Sequence, residues 1–240
     1  MTKLTSTVDL LAFGAHPDDV EIGTSGILWK HARQGFKTAI CDLTDGELSS
    51  NGDVVRRRAE ADRAGEILGL TRRLRLGLPD RGLTGTAEQL NAVVQVIRML
   101  KPRVVLAPHW EDRHPDHTAC ARMVKEAVFD AAIRKRELDT GEAPHRVEQL
   151  FHYFINHTGK ADVIVDVSEG YEQKEAAILA YESQFVPGPG RVETPLNRPT
   201  YLPMIRGRDQ LWGHEIGVLY GEGLVSPRPI AMGTLIPERD

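Results

Sequence analysis

The fold of this chain is constrained most by a pattern in its first two thirds, where short β-rich apolar runs alternate with amphipathic stretches of helical length. Such runs predict buried strands, and amphipathic stretches bounded by capping residues predict the helices between them. Strands and helices that alternate at this spacing imply parallel strands joined by right-handed crossovers. We therefore predict an α/β fold, a Rossmann-like three-layer α/β/α sandwich with a mostly parallel sheet.

The individual elements follow from the same periodicity and from turn residues such as Gly35, Gly69 and Pro102. The predicted strands cover residues 8–13, 38–43, a short segment around Leu74 and Leu76, 103–107, 150–155 and 163–167. The predicted helices cover residues 22–34, 54–68, 86–100, 118–138 and 172–181. Prolines and glycines between residues 186 and 203 predict an irregular loop. No repeat or linker divides the chain, so we predict one domain over residues 1–240.

The composition excludes several classes of protein. The chain has 240 residues, 41% of them hydrophobic, and a formal net charge of −4 with both signs interspersed, which argues against a nucleic-acid binder. It contains neither an apolar run of membrane-spanning length nor a signal-peptide pattern. Cys41 and Cys120 form no CxxC pair, so structural disulfides and thiolate metal sites are disfavoured. We expect a cytoplasmic protein that acts on a small molecule.

Ionisable side chains follow two of the predicted strands directly. His16, Asp18 and Asp19 come after the first strand, where a dinucleotide-binding protein would carry a glycine-rich loop, and His114 and His117 come after the fourth. Both loops leave the carboxyl edge of the same parallel sheet and can meet there. Two imidazoles and one carboxylate form a three-ligand site with an open position, which is typical of catalytic zinc, although Fe(II) accepts the same donors.

The two segments, His16-Pro17-Asp18-Asp19 and His114-Pro115-Asp116-His117, closely resemble the motifs of the LmbE-like (PIG-L) zinc-dependent N-acetylglucosaminyl deacetylases. The resemblance extends over nearly the whole chain, through residues 42–52, Arg57 with Glu60, and residues 67–69, 78–80, 212–214 and 220–222. The loop at residues 48–52 and the later Trp-Gly-His segment are most similar to the deacetylase branch of bacillithiol biosynthesis.

The resemblance implies a set of site residues by motif position. These are His16, Asp19 and His117 as metal ligands, Asp18 as the catalytic base, His114 as acid or oxyanion partner, and Arg57 and, less strongly, Arg146 as substrate-binding arginines. It also implies a homo-oligomer, a trimer or a hexamer. The bacillithiol branch carries a tyrosine in the segment that here contains Pro195, and Tyr201 is the open alternative.

The predicted function is hydrolytic N-deacetylation of a GlcNAc-type sugar, with GlcNAc-malate as the expected substrate. Arginine suits the malate because its planar guanidinium binds a carboxylate through two hydrogen bonds. The same chemistry on a chito-oligosaccharide and amide cleavage of a thiol conjugate stay open as alternatives. A non-enzymatic sugar- or nucleotide-binding module is the alternative from another class, and Asp18 argues against it, because a binder needs no carboxylate beside the metal ligands.

Overall fold

The computed structural model describes residues 7–138, 140–231 and 234. Its strands are β1 (Leu10–Gly14), β2 (Thr38–Thr44), β3 (Arg72–Leu78), β4 (Val104–Pro108), β5 (Gln149–Tyr153), β6 (Val163–Asp166) and β7 (Gly221–Val225). Its helices are α1 (Asp19–Arg33), α2 (Val54–Leu68), α3 (Ala87–Leu100), α4 (Pro115–Ala131), α5 (Tyr171–Leu179), α6 (Glu182–Phe185) and α7 (Tyr201–Glu215), with a 3₁₀ turn at Ser168–Gly170.

The strands form one sheet in the order β3-β2-β1-β4-β5-β7-β6. The pairings among the first five strands are parallel, and β7 runs antiparallel to both β5 and β6. Helices α3 and α4 cover one face of the sheet, while α1, α2, α5 and α7 contribute to the core on the other face. The predicted three-layer α/β/α sandwich with a mostly parallel sheet is confirmed.

The central strand β1 is buried on both faces, which explains its continuous apolar sequence. Leu10 and Ala12 pack into the core beneath α1 and α2, whereas Leu11 and Phe13 pack against α3 and α4. Because β1 pairs with both β2 and β4, its carboxyl end lies at the middle of the sheet edge. Residues that follow Gly14 are therefore placed where the loops from the neighbouring strands converge.

Capping residues set the end of α2 and the start of α3 as the sequence indicates. The Thr86 hydroxyl accepts the Gln89 N–H at the start of α3, and Gly69 ends α2 at φ 66°. Helix α1 begins at Asp19, three residues before the predicted range 22–34, and α4 differs at both ends from the predicted range 118–138. Helix α4 begins at Pro115, because the His114 ring accepts the Asp116 N–H as an N-cap. It ends at Ala131, and the buried Arg98 guanidinium donates to the carbonyl oxygens of Ala131, Ile133 and Arg136 beyond that end.

The prediction of a loop over residues 186–203 is wrong at its end, and the sequence patterns do not predict α6, α7 or β7. Helix α7 begins at Tyr201 and carries Pro203 in its first turn, where proline lacks no helical hydrogen bond. The glycines of β7 and α7 permit close packing and do not break these elements. A Cβ atom on Gly223 would lie 2.6 Å from the Trp212 ring, and one on Gly213 would lie 2.9 Å from the Tyr220 backbone.

The remaining predictions concern membrane segments and domain extent. Among the described residues, no helix is both long enough and apolar enough to cross a membrane. The single domain over residues 1–240 stays a prediction, and its two ends, residues 1–6 and 235–240, lie outside the described residues.

A buried ion network connects β7 to three helices. The Lys174 ammonium lies 2.7 Å from both Asp209 Oδ2 and Glu222 Oε1, and all three side chains are fully buried. The Glu222 carboxylate also accepts the N–H groups of Gly26 and Ile27, at 2.9 and 2.7 Å, beside a kink in α1 at Thr24. The network therefore satisfies the backbone groups that the kink leaves without helical partners.

Replacing the cation at the centre of this network tests its contribution to stability. In Lys174→Met, Glu222 loses its counterion in the core and Asp209 keeps only Arg208, so we expect the free energy of unfolding to fall by about 3–5 kcal/mol in urea denaturation. The control is Arg206→Met, which removes a surface ion pair with Glu175 and should cost less than about 1 kcal/mol. Equal losses in the two variants would contradict a structural role for the network.

Candidate active site

A cavity of about 450 Å³ opens at the carboxyl edge of the sheet. Its walls come from the segments that follow the first five strands, together with residues 194–196 and Tyr201 at the start of α7. The residues on which the chemistry depends are His16, Asp18, Asp19, Asp80, His114 and His117. The structure thus brings together at one site the two His-Pro-Asp segments that the sequence places about one hundred residues apart.

The two nitrogens of His16 face different partners. Nδ1 lies 3.5 Å from Asp19 Oδ2, whereas Nε2 lies 3.3 Å from Asp80 Oδ1 and 3.5 Å from Asp116 Oδ2. The His16 backbone N–H also donates to Asp19 Oδ2 at 2.9 Å, which closes the turn between β1 and α1. The Asp80 and Asp116 carboxylates therefore orient the imidazole through Nε2, and Nδ1 stays beside Asp19.

His117 is held in the same manner from the other side. Its Nε2 lies 3.1 Å from Asp19 Oδ1, and its Nδ1 lies 3.0 Å from Asp112 Oδ1. Asp112 is itself fixed by the His114 backbone N–H at 2.8 Å and by the Asn156 side chain at 2.9 Å. Metal-binding histidines commonly have their second nitrogen bound to a carboxylate in this way, which sets the ring orientation and raises ligand basicity.

The site concentrates more negative than positive side-chain charge. Asp18, Asp19, Asp80, Asp112 and Asp116 contribute five carboxylates, whereas the arginines paired with this group are Arg57 and Arg81. Burial lowers the pKa of His117, but contacts with Asp19 and Asp112 outweigh it and raise the pKa to about 9. The pKa of His16 is likewise raised above its ordinary range, because hydrogen bonds to three carboxylates outweigh its burial.

The donor set fits a divalent cation. His16 Nδ1 and His117 Nε2 each lie beside one oxygen of the Asp19 carboxylate, and a divalent cation bound by these three groups would replace the protons that the two imidazoles otherwise carry. Ring nitrogens of His16, His114 and His117 also lie within 4.8 Å of one another, as do ligand atoms of His16, Asp80 and Asp116. The site can therefore hold a metal, and the imidazole and carboxylate donors suit zinc or iron.

Asp18 is adjacent to Asp19 in sequence but faces a different partner. Its Oδ2 accepts a hydrogen bond from Arg57 Nη2 at 2.7 Å, and both side chains are buried. Burial raises the pKa of Asp18 to about 7, although the Arg57 guanidinium acts in the opposite direction. A carboxylate whose pKa lies near neutrality is suited to accept a proton from water and to release it again.

His114 has one ring nitrogen available to a substrate. Its Nδ1 accepts the Asp116 N–H at 3.3 Å, so the neutral ring carries its proton on Nε2. Burial lowers the pKa of His114, and the nearby His16 and His117 lower it further. The ring stacks on His117 at a centroid distance of 4.8 Å. His114 is thus a half-buried hydrogen-bond donor directly beside the metal-ligand candidates.

The structure separates the two arginines that the sequence suggests for substrate binding. Arg57 lines the cavity, but the residue is only 5% exposed and its guanidinium is bound to protein groups. Arg146 precedes β5 at the opposite edge of the sheet and lines a separate cavity with Lys125 and Arg228. At the mouth of the active-site cavity lies Arg113, an exposed arginine whose guanidinium donates to the Asn156 amide oxygen at 3.1 Å.

Several site residues escape the sequence analysis. Asp80 belongs to the segment at residues 78–80 that carries part of the family resemblance, but nothing in the sequence indicates that it contacts His16. Asp112 precedes the second motif and Asp116 lies between its two histidines, and the orientation of neither side chain can be inferred from spacing. The Tyr201 hydroxyl is buried in the cavity wall and has no hydrogen-bond partner among the described residues. Its position depends on α7, which the sequence patterns do not predict.

Comparisons with known proteins agree with this geometry. A family model described as PIG-L, GlcNAc-PI de-N-acetylase, matches residues 11–128. The diacetylchitobiose deacetylase of Thermococcus kodakarensis is 33% identical in an alignment of length 189 that covers 73% of this chain and 70% of that protein. A probable N-acetyl-alpha-D-glucosaminyl L-malate deacetylase 2 of Bacillus subtilis is 27% identical in an alignment of length 188 that covers 70% of this chain and 80% of that protein.

A solved structure is similar to this chain over more of its length than the two relatives above. The conserved protein TT1542 from Thermus thermophilus is 41% identical and superposes with a TM-score of 0.87, covering 97% of this chain and 100% of that one. The family resemblance inferred from the two His-Pro-Asp motifs is confirmed. The chain belongs to the PIG-L, or LmbE-like, family of deacetylases.

Proposed function

We propose that this protein is a metal-dependent hydrolase that removes the acetyl group from a GlcNAc-type amino sugar, with GlcNAc-malate as the substrate. The observation that carries the proposal is the position of Asp18, a buried carboxylate that lines the same cavity as a separate set of metal-ligand donors and is held there by Arg57. A sugar-binding module has no use for such a group. The activities for which the relatives are named, deacetylation of N-acetylated sugars, support the same reaction class.

His16, Asp19 and His117 would hold the metal, preferably zinc. When bound, the metal lowers the pKa of water and polarises the acetyl carbonyl. Asp18 accepts the proton of the attacking water through its carboxylate. His114 then stabilises the developing oxyanion through Nε2–H, and the departing amine takes a proton from His114 in its imidazolium form or the proton that Asp18 has accepted from water. General-base assistance of this kind contributes roughly 10²–10⁴-fold in rate.

Tyr201 provides a second donor at the cavity wall. Burial raises the pKa of its hydroxyl, which therefore keeps its proton at neutral pH. A buried hydroxyl without a protein partner is unfavourable unless a ligand or water satisfies it. We assign Tyr201 to a hydrogen bond with the substrate's acetamido or hydroxyl groups, in place of the tyrosine that the bacillithiol branch carries in the segment that here contains Pro195.

Arg113 is the arginine best placed to recognise the malate. Arg57 and Arg81 are paired with Asp18 and Asp116, whereas Arg113 binds a neutral amide at the cavity mouth. A guanidinium without a carboxylate partner can bind a substrate carboxylate through two hydrogen bonds. A chito-oligosaccharide is the second candidate substrate, favoured by the similarity to a diacetylchitobiose deacetylase, and it presents no carboxylate to this residue.

The finer predictions on assembly and location belong to this proposal. A homo-oligomeric state, trimer or hexamer, and a cytoplasmic location stay predictions from the family resemblance and the composition. Neither enters the argument for the reaction, because the residues that carry it lie within one chain.

Metal analysis tests the ligand set. His117→Ala should lose the metal and the activity together, and Asp112→Asn should lower metal affinity by about 10–100-fold because it loosens the His117 ring. His145→Ala, whose ring binds the Pro102 carbonyl at the far edge of the sheet, is the control and should keep one metal per chain. Stoichiometric metal in His117→Ala, measured after gel filtration, would contradict the assignment.

Substitution of the proposed base tests the mechanism. Asp18→Asn preserves shape but cannot accept the proton of water, so kcat should fall by roughly 10²–10⁴-fold while KM and metal content stay near wild type. Steady-state release of free amine from diacetylchitobiose and from GlcNAc-malate measures both constants. If kcat remains near the wild-type value, the base is a different residue.

A substrate panel tests the recognition of malate. Arg113→Gln should lower kcat/KM for GlcNAc-malate by a factor that corresponds to about 1.5–3 kcal/mol, because one charge-assisted hydrogen bond is lost. The kcat/KM for diacetylchitobiose should stay nearly unchanged. Arg146→Gln is the matched control and should change neither substrate, because Arg146 lines a different cavity. A wild-type preference for diacetylchitobiose, together with equal effects of Arg113→Gln on both substrates, would exclude GlcNAc-malate as the substrate. The proposal that the protein is a deacetylase would survive that result.

A further inference from the structure

The Arg57 guanidinium is enclosed by protein acceptors. Nε and Nη2 donate to the Pro17 carbonyl oxygen at 3.1 and 2.5 Å, and Nη2 also donates to Asp18 Oδ2 at 2.7 Å. Nη1 donates to Ser49 Oγ at 2.8 Å, and the guanidinium carbon lies 5.8 Å from the centre of the Tyr181 ring. Four of the five N–H groups are thus engaged. Three of these hydrogen bonds end on the two-residue segment of Pro17 and Asp18.

That segment has an unusual backbone. Asp18 lies at φ 114° and ψ −23°, whereas Arg81 and Lys101, the other non-glycine residues with positive φ among those described, lie at 59° and 51° in the ordinary left-handed region. A side chain at φ 114° is disfavoured, and such a conformation persists where surrounding contacts enforce it. The strain coincides with the residue that the proposed function makes the catalytic base.

The strained turn gives the two neighbouring aspartates separate roles. Asp19 is drawn towards His16 and His117, and Asp18 towards Arg57. The Arg57 guanidinium holds Oδ2 of the Asp18 carboxylate, so Oδ1 remains for water. Without a group that grips both the Pro17 carbonyl and the Asp18 carboxylate, the turn could relax to negative φ and rotate this carboxylate away from the cavity.

We propose that Arg57 is a positioning residue that holds the strained Pro17–Asp18 turn and thereby the carboxylate of the base, Asp18. Arg57 does not bind the anionic part of the substrate. This inference rests on the proposed function, in which Asp18 is the base. Its direct support is geometric: a nearly buried guanidinium with one remaining N–H cannot form the two-point contact that a substrate carboxylate requires.

The loop after β2 braces Arg57 and offers a milder variant. The Ser49 hydroxyl accepts from Arg57 Nη1 and donates to the Gly46 carbonyl oxygen at 2.6 Å. Gly46 itself lies at φ 64°, and a Cβ atom there would lie 3.7 Å from the Arg57 guanidinium carbon. Ser49→Ala removes the brace without touching the base, so its effect should have the same direction as that of Arg57→Ala and a smaller size.

A double-mutant cycle tests the inference. Arg57→Ala in the full-length metal-loaded protein should lower kcat for diacetylchitobiose on the order of 10²-fold, the effect of a misplaced catalytic group, with KM within about twofold of wild type. The double variant Asp18→Asn/Arg57→Ala should be no slower than Asp18→Asn alone, because Arg57 acts through Asp18. Metal content should be unchanged in all variants, and added guanidinium should restore part of the kcat of Arg57→Ala.

Each alternative outcome points to a different error. Losses that multiply in the double variant, or a KM increase restricted to GlcNAc-malate, would overturn the positioning role and make Arg57 a substrate-binding residue. If Arg57→Ala does not fold, Arg57→Lys and Ser49→Ala enter the same cycle with the same expected non-additivity. An Asp18→Asn variant with wild-type kcat would overturn the proposed base and this inference with it, whereas a slow Asp18→Asn with multiplying losses overturns the inference alone.

Discussion

Negative charge concentrated at the carboxyl edge of the sheet is the constraint on which the site depends. Carboxylates from the segments after β1, β3 and β4 meet there because parallel strands end at the same edge. Burying them is unfavourable unless cations or donors compensate them. The chain provides two arginines and three imidazoles, and the raised pKa values of His16 and His117 indicate that this compensation is incomplete. The same imbalance favours binding of a divalent cation.

The buried network around Lys174 shows how the rest of the fold supports this edge. Arg208 on α7 contacts Asp209 of that network and donates to the carbonyl oxygens of Ile22 and Ile155 at 2.8 and 3.0 Å. Both isoleucines line the active-site cavity. Helix α7 therefore helps to fix the apolar wall of the cavity, because its Arg208 guanidinium binds the backbone of both isoleucines. Strand β7 is connected to α7 through Lys174, which pairs with Glu222 and with Asp209.

The features that the sequence predicts correctly depend on local patterns. The parallel sheet follows from apolar periodicity, and the family follows from two contiguous motifs that include His16 and His117. The features that it misses depend on contacts between distant segments. Strand β7 is not predicted, because the role of Gly223 is to admit the Trp212 ring of α7, a contact between separate segments. Asp112 acquires its role only when β4 and α4 place it against His117, and no spacing rule encodes that orientation.

The arginines show why residue type alone is insufficient to assign specificity. Arg57, Arg113 and Arg146 are chemically equivalent in the sequence, yet the structure gives them different environments. Arg57 is buried against Asp18, Arg146 lies at the opposite edge of the sheet, and Arg113 stands at the cavity mouth beside a neutral amide. A guanidinium already bound to a carboxylate contributes orientation, whereas one without an anionic partner can contribute binding energy to a ligand. Specificity in this site is therefore decided by which arginine the fold leaves uncompensated.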